Sequence, residues 1–170
     1  MGGYAFLGGV AEFRKAPNPP KKAKGIGGIL SPLFKYTTEV PATKTAGEIQ
    51  GILARHGATA VLIEFDKGEV VAISFKVKTA SGELPFKLPV NADAVLGVLK
   101  RDAPLRYQNR EHAVRVAWRI AKAWLEAQMA IVETEMVKMD EVFMPYMLYG
   151  KKTFYQLLST GKLQLPPPQE

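Results

Sequence analysis

The chain has 170 residues, of which 47% are hydrophobic and 23% charged, a globular composition that suits one domain with appendages. It contains no cysteine, so disulfides and thiolate metal sites are excluded, and no apolar run is long enough to predict a transmembrane helix. The net charge of +7 favours a polyanionic partner such as nucleic acid, although solubility alone also explains such a charge.

Residues 1–35 are predicted to form a flexible basic arm. Glycine and proline recur there at a density that opposes regular structure. The segment FRKAPNPPKKAK surrounds its prolines with cations, which are Arg14, Lys15, Lys21, Lys22 and Lys24.

The folded body is predicted to begin with a strand and a helix. Phe34–Val40 alternates and is rich in β-formers, which indicates a short strand. The next segment has a capping box of Thr45 and Glu48, and Gly57 is the expected left-handed residue after the helix. The buried stripe of this helix is predicted to be Ile49, Ile52 and Leu53.

Three more strands are predicted between residues 59 and 90. Tight turns at Asp66–Gly68 and Thr79–Gly82 separate them, so they pair as an antiparallel meander. One face is apolar and needs helices to cover it. The residues expected on that face are Val61, Ile63, Phe65, Val71, Ile73, Phe75 and Val77. The opposite face is expected to carry Lys76, Lys78 and Lys87.

Helices are predicted for most of the remaining chain. Asn91 caps a short helix, and Asn109 caps a long one that runs to about Met139. Thr153 and Gln156 form the capping box of a last short helix. The long helix has two apolar rows, wide enough to pack on the sheet and on another helix or a second subunit. These rows are Val114, Trp118, Ala121, Leu125, Met129, Val132 and Met136, then Ala117, Ile120, Trp124 and Ile131.

The predicted fold is therefore α+β: a strand, a helix and a three-stranded meander, followed by a short helix and a long helix packed on one sheet face. We divide the chain into the arm at 1–35, a single domain at 36–160 and a proline-rich tail at 161–170.

No motif indicates catalysis, a metal or a cofactor. His56 and His112 belong to no metal-binding pattern, and we expect ordinary surface or cap histidines. Carboxylates cluster at 64–69 and 133–141, where a divalent metal for nuclease chemistry is an alternative without a supporting motif. The glycine-rich run at 25–28 fits neither a P-loop nor a dinucleotide loop. We therefore expect a protein that is not an enzyme and holds neither metal nor cofactor.

Basic side chains offer a different site. Arg115, Arg119 and Lys122 form a row on the long helix, although such rows often serve only solubility. The sheet lysines are more informative because Ser74 and Thr79 lie beside them, and phosphates are contacted by this mixture of side chains. The candidate nucleic-acid-binding residues are Lys21, Lys22, Lys24, Lys76, Lys78, Lys87, Arg115, Arg119 and Lys122.

Two resemblances add to these patterns. The predicted helix, three strands and helix over 45–100 resemble the double-stranded RNA-binding domain in element order. The second helix of that family opens with lysines, whereas this one opens with Asp93 and has no lysine in its first turn. The chain is also similar to small uncharacterised proteins of phages and prokaryotic mobile elements, through Trp118, Trp124, Leu125, Glu126, Gln128 and Met144–Tyr146. That second resemblance implies the cytoplasm of a prokaryotic or phage-infected cell and brings no known activity.

The leading hypothesis is a non-catalytic nucleic-acid-binding protein, for single-stranded DNA or RNA in phage or mobile-element replication or recombination. Binding would be electrostatic and salt-sensitive, and the long helix would mediate homo-oligomerisation. An alternative is a phage accessory or assembly protein whose charge is incidental, and a third is a small metal-dependent nuclease that uses Glu64. The first two differ in whether the sheet lysines and the helix row share one surface.

Overall fold

The computed structural model describes residues 33–163, and over these residues the fold is α+β, as predicted. Most of the predicted arm and tail, with Lys21, Lys22 and Lys24, lies outside them. The helices are α1 (Ala42–Arg55), α2 (Ala92–Asp102), α3 (Arg110–Glu133), α4 (Met139–Phe143) and α5 (Phe154–Ser159). The strands are β1 (Ala58–Asp66), β2 (Glu69–Thr79), β3 (Gly82–Lys87), β4 (Leu148–Tyr149) and β5 (Lys152–Thr153).

The prediction of a strand at Phe34–Val40 is wrong, because this segment is a turn followed by irregular chain. The Tyr36 N–H donates to the Leu33 carbonyl at 2.9 Å, and Lys35 has a φ of 63°. The Tyr36 ring meets Tyr107 edge-on at 5.3 Å between centroids. Tertiary packing on the helical layer therefore overrides the local β propensity.

The predicted capping box of α1 is also wrong, because the helix begins one turn earlier, directly after Pro41. A proline lacks the N–H that a helix start leaves unpaired, so it is well tolerated there. Thr45 is consequently inside the helix and fully buried, with its hydroxyl donating to the Pro41 carbonyl at 3.3 Å. The predicted end is confirmed, since Gly57 has a φ of 88°. The predicted stripe of Ile49, Ile52 and Leu53 is buried.

The three-stranded antiparallel meander is confirmed, with strand order β1-β2-β3. Its register shifts between Glu64 and Phe65, where a bulge changes which side chains face the helices. Phe65 is 60% exposed and Val71 is 40% exposed, so the prediction that both face inward is wrong, and Val70 is buried instead.

Helices α1, α3 and α4 cover one face of the sheet and form the core with it. Trp118 of α3 is buried at the centre, and its indole N–H donates to the Val70 carbonyl of β2 at 3.1 Å. Phe75, Phe86 and Phe143 form an aromatic cluster with centroid separations of 5.3–6.2 Å. Helix α2 packs against α3.

Both predicted asparagine caps are confirmed. The Asn91 side-chain oxygen accepts the Ala94 N–H at 3.0 Å, and that of Asn109 accepts the His112 N–H at 2.8 Å. Helix α3 ends earlier than predicted, at Glu133, because Glu135 takes a left-handed φ of 58°. The predicted apolar row therefore stops short of Met136, which is 74% exposed.

The C-terminal segment covers the outer edge of β3. Met147 forms a bridge with Phe86, and β4 then pairs with β5. The capping box of α5 is confirmed: the Gln156 N–H donates to the Thr153 hydroxyl at 3.3 Å, and the Thr153 N–H donates to the Gln156 side-chain oxygen at 2.9 Å. In the three-stranded sheet, β1 has an outer edge that no described strand pairs with.

Candidate interaction surfaces

The sheet lysines lie on the face that α1, α3 and α4 leave uncovered. On β2, Phe75 and Val77 are buried against the helices, so Lys76 and Lys78 point to the other side. In the register of the sheet, Lys76 lies opposite Ala60 of β1 and opposite Pro85 of β3, so these three side chains form a row across the strands. We define the open sheet face by its members, which are Ala60, Leu62, Glu64, Ser74, Lys76, Lys78, Glu83, Pro85 and Lys87.

Glutamates partly neutralise this face. Lys76 Nζ lies 3.8 Å from Glu83 Oε2, and Lys87 Nζ lies 3.8 Å from Glu64 Oε1. Lys78 has no ion-pair partner within residues 33–163. Three lysines against two glutamates leave one net positive charge. That is a weak field for holding a phosphate backbone, which needs several uncompensated cations.

An apolar strip crosses the same face. Leu62 of β1 is 61% exposed, although it lies in the middle of a nine-residue strand. Ala60, Leu62, Pro85 and Leu148 line a shallow cavity of about 290 Å³ on this side of the sheet. Leu148 reaches the cavity because the Met147–Phe86 bridge holds β4 beside β3. The open sheet face therefore combines an apolar centre with charged pairs around it.

The helix row has a different environment, because glutamates neutralise all three of its cations. Arg119 Nη1 lies 2.8 Å from Glu48 Oε2 of α1, and Lys122 Nζ lies 3.1 Å from the same oxygen. Lys122 also pairs with Glu126 at 3.0 Å. Arg115 pairs with Glu111 at 2.8 Å. The side chains of the three cations are only 17–23% exposed.

These contacts shift the pKa values of Glu48 and Lys122. Hydrogen bonding from Lys122, with the charges of Lys122 and Arg119, lowers the pKa of Glu48 below its ordinary value of 4.5, against the opposing effect of partial burial. Hydrogen bonds to Glu126 and Glu48 raise the pKa of Lys122 above 10.5. Both groups stay charged near neutral pH, and they join α1 to α3.

The sheet lysines and the helix row do not form one surface. The lysines project from the face of the sheet opposite α1 and α3, whereas Arg119 and Lys122 lie between those two helices. The second apolar row of α3 is also used within the domain. Its Trp124 packs edge-on against Phe143 and Tyr146 at 5.6 and 5.4 Å.

The histidines have structural contacts. His56 follows α1, as predicted for a cap residue; its Nδ1 lies 2.7 Å from the Ile52 carbonyl oxygen, and its Nε2 lies 2.8 Å from Glu133 Oε1. The expectation of a surface or cap position is wrong for the His112 ring, which is buried, contacts the Tyr36 carbonyl oxygen and packs on Tyr107 at 4.7 Å.

Several of the carboxylates proposed for metal chemistry are paired with cations. Glu64 contacts Lys87, and Glu69 contacts Arg110, which also contacts Asp93. Among the described residues, no group of three His, Asp or Glu side chains is placed to hold a metal ion. Glu64 therefore makes a cross-strand contact, and Glu69 joins β2 to α3.

Sequence patterns missed two features of these surfaces. Glu48 was assigned to a cap, but it holds Arg119 and Lys122 from another helix. The exposure of Leu62 was also missed, although strict alternation with Val61 and Ile63 was a signal for it.

Comparison with protein-family models, with curated proteins and with solved structures finds no match for this chain. The helix, three strands and helix that resemble the double-stranded RNA-binding domain are present in that order as α1, β1, β2, β3 and α2. None of the helices within residues 33–163 is long and apolar enough to span a membrane.

Proposed function

We propose that the protein is a non-catalytic interaction protein, an accessory or assembly factor that binds a protein partner through its open sheet face. The apolar strip of Ala60, Leu62, Pro85 and Leu148 on an otherwise charged surface carries this proposal. Protein interfaces typically have an apolar centre with a polar rim that excludes water. The Lys76–Glu83 and Lys87–Glu64 pairs supply such a rim.

The distribution of charge supports a protein partner over a nucleic acid. The three cations of the helix row are held by Glu48, Glu111 and Glu126, so they have little charge left for phosphates. The open sheet face has both signs of charge, which favours a partner with complementary charges rather than a uniform polyanion. The positive charge of the chain then serves mainly solubility.

We further propose that this interaction occurs in the cytoplasm of a prokaryotic or phage-infected cell. Support comes from the resemblance of the segments around Trp118, Trp124 and Met144–Tyr146 to small phage and mobile-element proteins. The composition, which lacks cysteine, is compatible with a reducing compartment.

Photo-crosslinking from the middle strand tests the proposed surface. With p-benzoylphenylalanine in place of Lys76, which is half-exposed on the middle strand beside the apolar strip, we expect a discrete adduct with another protein in the native host. The matched control has the same group in place of Leu105, which is 85% exposed outside the sheet. Equal adducts at both positions, or no protein adduct at position 76, would contradict the proposal.

A second candidate is nucleic-acid binding by the sheet lysines alone. It is favoured by the common orientation of Lys76, Lys78 and Lys87 beside the Ser74 hydroxyl, since Lys78 has no acidic partner in the described chain. Single strands would then lie along the open sheet face by backbone contacts, with strong salt dependence.

Fluorescence anisotropy with labelled single- and double-stranded oligonucleotides, at low and moderate salt, tests this second candidate. Replacement of the three lysines by glutamate should abolish binding, whereas Arg119→Gln should leave it unchanged because Arg119 is already paired. A wild-type chain that binds no oligonucleotide at low salt would exclude it.

A further inference from the structure

Strand β1 has an outer edge that no described strand occupies. In the order β1-β2-β3, the outer edge of β3 is covered through the Phe86–Met147 bridge. No strand within residues 33–163 covers the equivalent edge of β1, which spans nine residues. An exposed edge of this length presents a row of backbone donors and acceptors to another strand.

The backbone groups that face this edge follow from the register. The Leu88 N–H donates to the Ile73 carbonyl at 3.0 Å, so the polar backbone groups of Ile73 point toward β3. Ile63 pairs with Ile73, and in an antiparallel ladder the two therefore form a non-hydrogen-bonded pair. The N–H and carbonyl of Ile63 consequently point to the outer edge of β1, and alternation places those of Val61 there too.

The centre of β1 lacks the features that usually protect an edge strand. Ala60–Ile63 contains neither lysine nor proline, and its register with β2 is regular. The two irregularities lie on either side of it, at Ala58/Ala60 and at Glu64/Phe65. The most regular part of the edge is therefore also its most apolar part.

We propose that β1 pairs antiparallel with β1 of a second copy of this chain, across a two-fold axis at Leu62. The three residues Val61–Ile63 are self-complementary in this register. Leu62 faces Leu62 of the second copy as a non-hydrogen-bonded pair, while Val61 and Ile63 exchange backbone hydrogen bonds with their counterparts. The two sheets become one sheet of six strands.

The charges of β1 are compatible with this register. Glu64 faces Ala60 of the second copy, and the two Glu64 carboxylates stay about 14 Å apart along the strands, at ~3.4 Å per residue. No like charges face each other in this register, and like charges directly opposite each other would destabilise a cross-strand pair. Each Glu64 also keeps its own Lys87 nearby, at 3.8 Å. The exposure of Leu62, at 61%, is explained because its neighbour lies in the other chain.

This interface uses the backbone edge of the sheet and does not rest on the proposed function of the open sheet face, with which it shares Leu62. Its location also differs from the oligomerisation expected through the long helix, whose apolar rows pack mostly within the domain. The dimer would leave the faces of β2 and β3 accessible to a further partner.

Complementary charges at position 62 test the proposal with the full-length chain. Sedimentation velocity should show wild-type particles of twice 18.7 kDa at tens of micromolar. Leu62→Lys and Leu62→Glu should each weaken self-association by about tenfold or more, because like charges then face each other across the axis. An equimolar mixture of the two variants should restore the dimer. Leu105→Lys is the matched control and should dimerise as the wild type does.

Each other outcome overturns the proposal. A wild-type chain that stays at 18.7 kDa has no such dimer. If its Val61 and Ile63 amides nevertheless exchange slowly with solvent, another segment of the same chain occupies the edge. A dimer that survives both single variants, or a mixture of folded variants that fails to associate, places the contact elsewhere. The charge reversal Lys76→Glu affects the open sheet face on the middle strand and should leave the dimer intact, which separates the two proposals.

Discussion

Glu48 of α1 and Arg119 of α3 lie 71 residues apart in the chain, and their side chains meet at 2.8 Å. Lys122 reaches the same carboxylate oxygen at 3.1 Å. A single carboxylate therefore joins two of the helices that cover the sheet, and two cations that would otherwise repel each other share it. This arrangement explains why the helix row is structural in the described domain.

Glu48→Gln should destabilise the domain. The variant keeps the size of the side chain but removes the charge that holds Arg119 and Lys122, so two nearby cations are left to repel each other. We expect a loss of about 1 kcal/mol in the free energy of unfolding, at the upper end for partly exposed pairs. Urea unfolding followed by circular dichroism measures it.

Glu126→Gln is the matched control for that variant. Glu126 pairs with Lys122 within α3 and is more exposed, so its loss should reduce the stability by only about 0.3–0.5 kcal/mol. Equal effects of the two variants would mean that the link between α1 and α3 contributes nothing beyond a surface pair.

The stability of the domain should also fall in acid through Glu48. Its pKa is lowered in the folded state, so the unfolded chain binds this proton at a higher pH than the folded one. The contribution of Glu48 is therefore complete above about pH 4.5 and is lost as the pH falls through the folded value. Urea midpoints measured from pH 6 to pH 3 should decline less steeply in Glu48→Gln than in the wild type. Parallel profiles would contradict the assignment.

Trp118→Phe should be among the more damaging conservative substitutions. It removes the indole N–H that donates to the Val70 carbonyl at 3.1 Å, and it leaves a smaller ring in a fully packed position. An unpaired buried carbonyl and a cavity together should reduce the stability by about 2–3 kcal/mol. Thermal and urea unfolding measure the loss.

Trp124→Phe serves as the control for the core substitution. Trp124 is only partly buried and contacts Phe143 and Tyr146 edge-on, contacts that a phenylalanine ring largely retains. Its effect should be about 1 kcal/mol or less. A larger loss from Trp124 than from Trp118 would show that the centre of the core has been misplaced.

Local signals account for the parts of the fold that were predictable. Asn91 and Asn109 each precede a helical pattern, and a cap involves atoms only three residues apart. The meander follows from short turns, because strands joined so tightly have few alternatives to antiparallel pairing. The capping box of Thr153 and Gln156 is local in the same sense.

Features that depend on distant contacts were not predictable from sequence. Phe34–Val40 has the residues of a strand, but the docking of Tyr36 on Tyr107 holds it as a turn. Glu48 fits a capping box as well as an ion pair, and the choice depends on where α3 lies. The bulge after Glu64 exposes Phe65 although the alternation predicts burial. Each case is a local preference overridden by tertiary packing.

For the open sheet face, too, local sequence patterns predicted some features, whereas others depend on distant contacts. Alternation along β2 was enough to place Lys76 and Lys78 on one face. The partial neutralisation of this face by Glu64 and Glu83 depends on the register of three strands, which the alternation along a single strand does not determine. That no strand within residues 33–163 pairs with the outer edge of β1 follows from the sheet order, which sequence patterns along single strands do not give.

Two glycines of the α1 region should respond in opposite directions to alanine. Gly57 has a φ of 88°, a backbone conformation that an L side chain rarely adopts. An added Cβ would meet no atom within 4 Å there. Gly57→Ala should nevertheless reduce the stability by about 1–2 kcal/mol, because of the backbone conformation alone. Gly47 lies inside α1 with similar free space, so Gly47→Ala should stabilise the domain by up to about 1 kcal/mol through helix propensity. Thermal unfolding of both variants separates the effects, because side-chain bulk is equal and only the backbone conformation differs. Two shifts of the same sign would contradict the assigned end of α1.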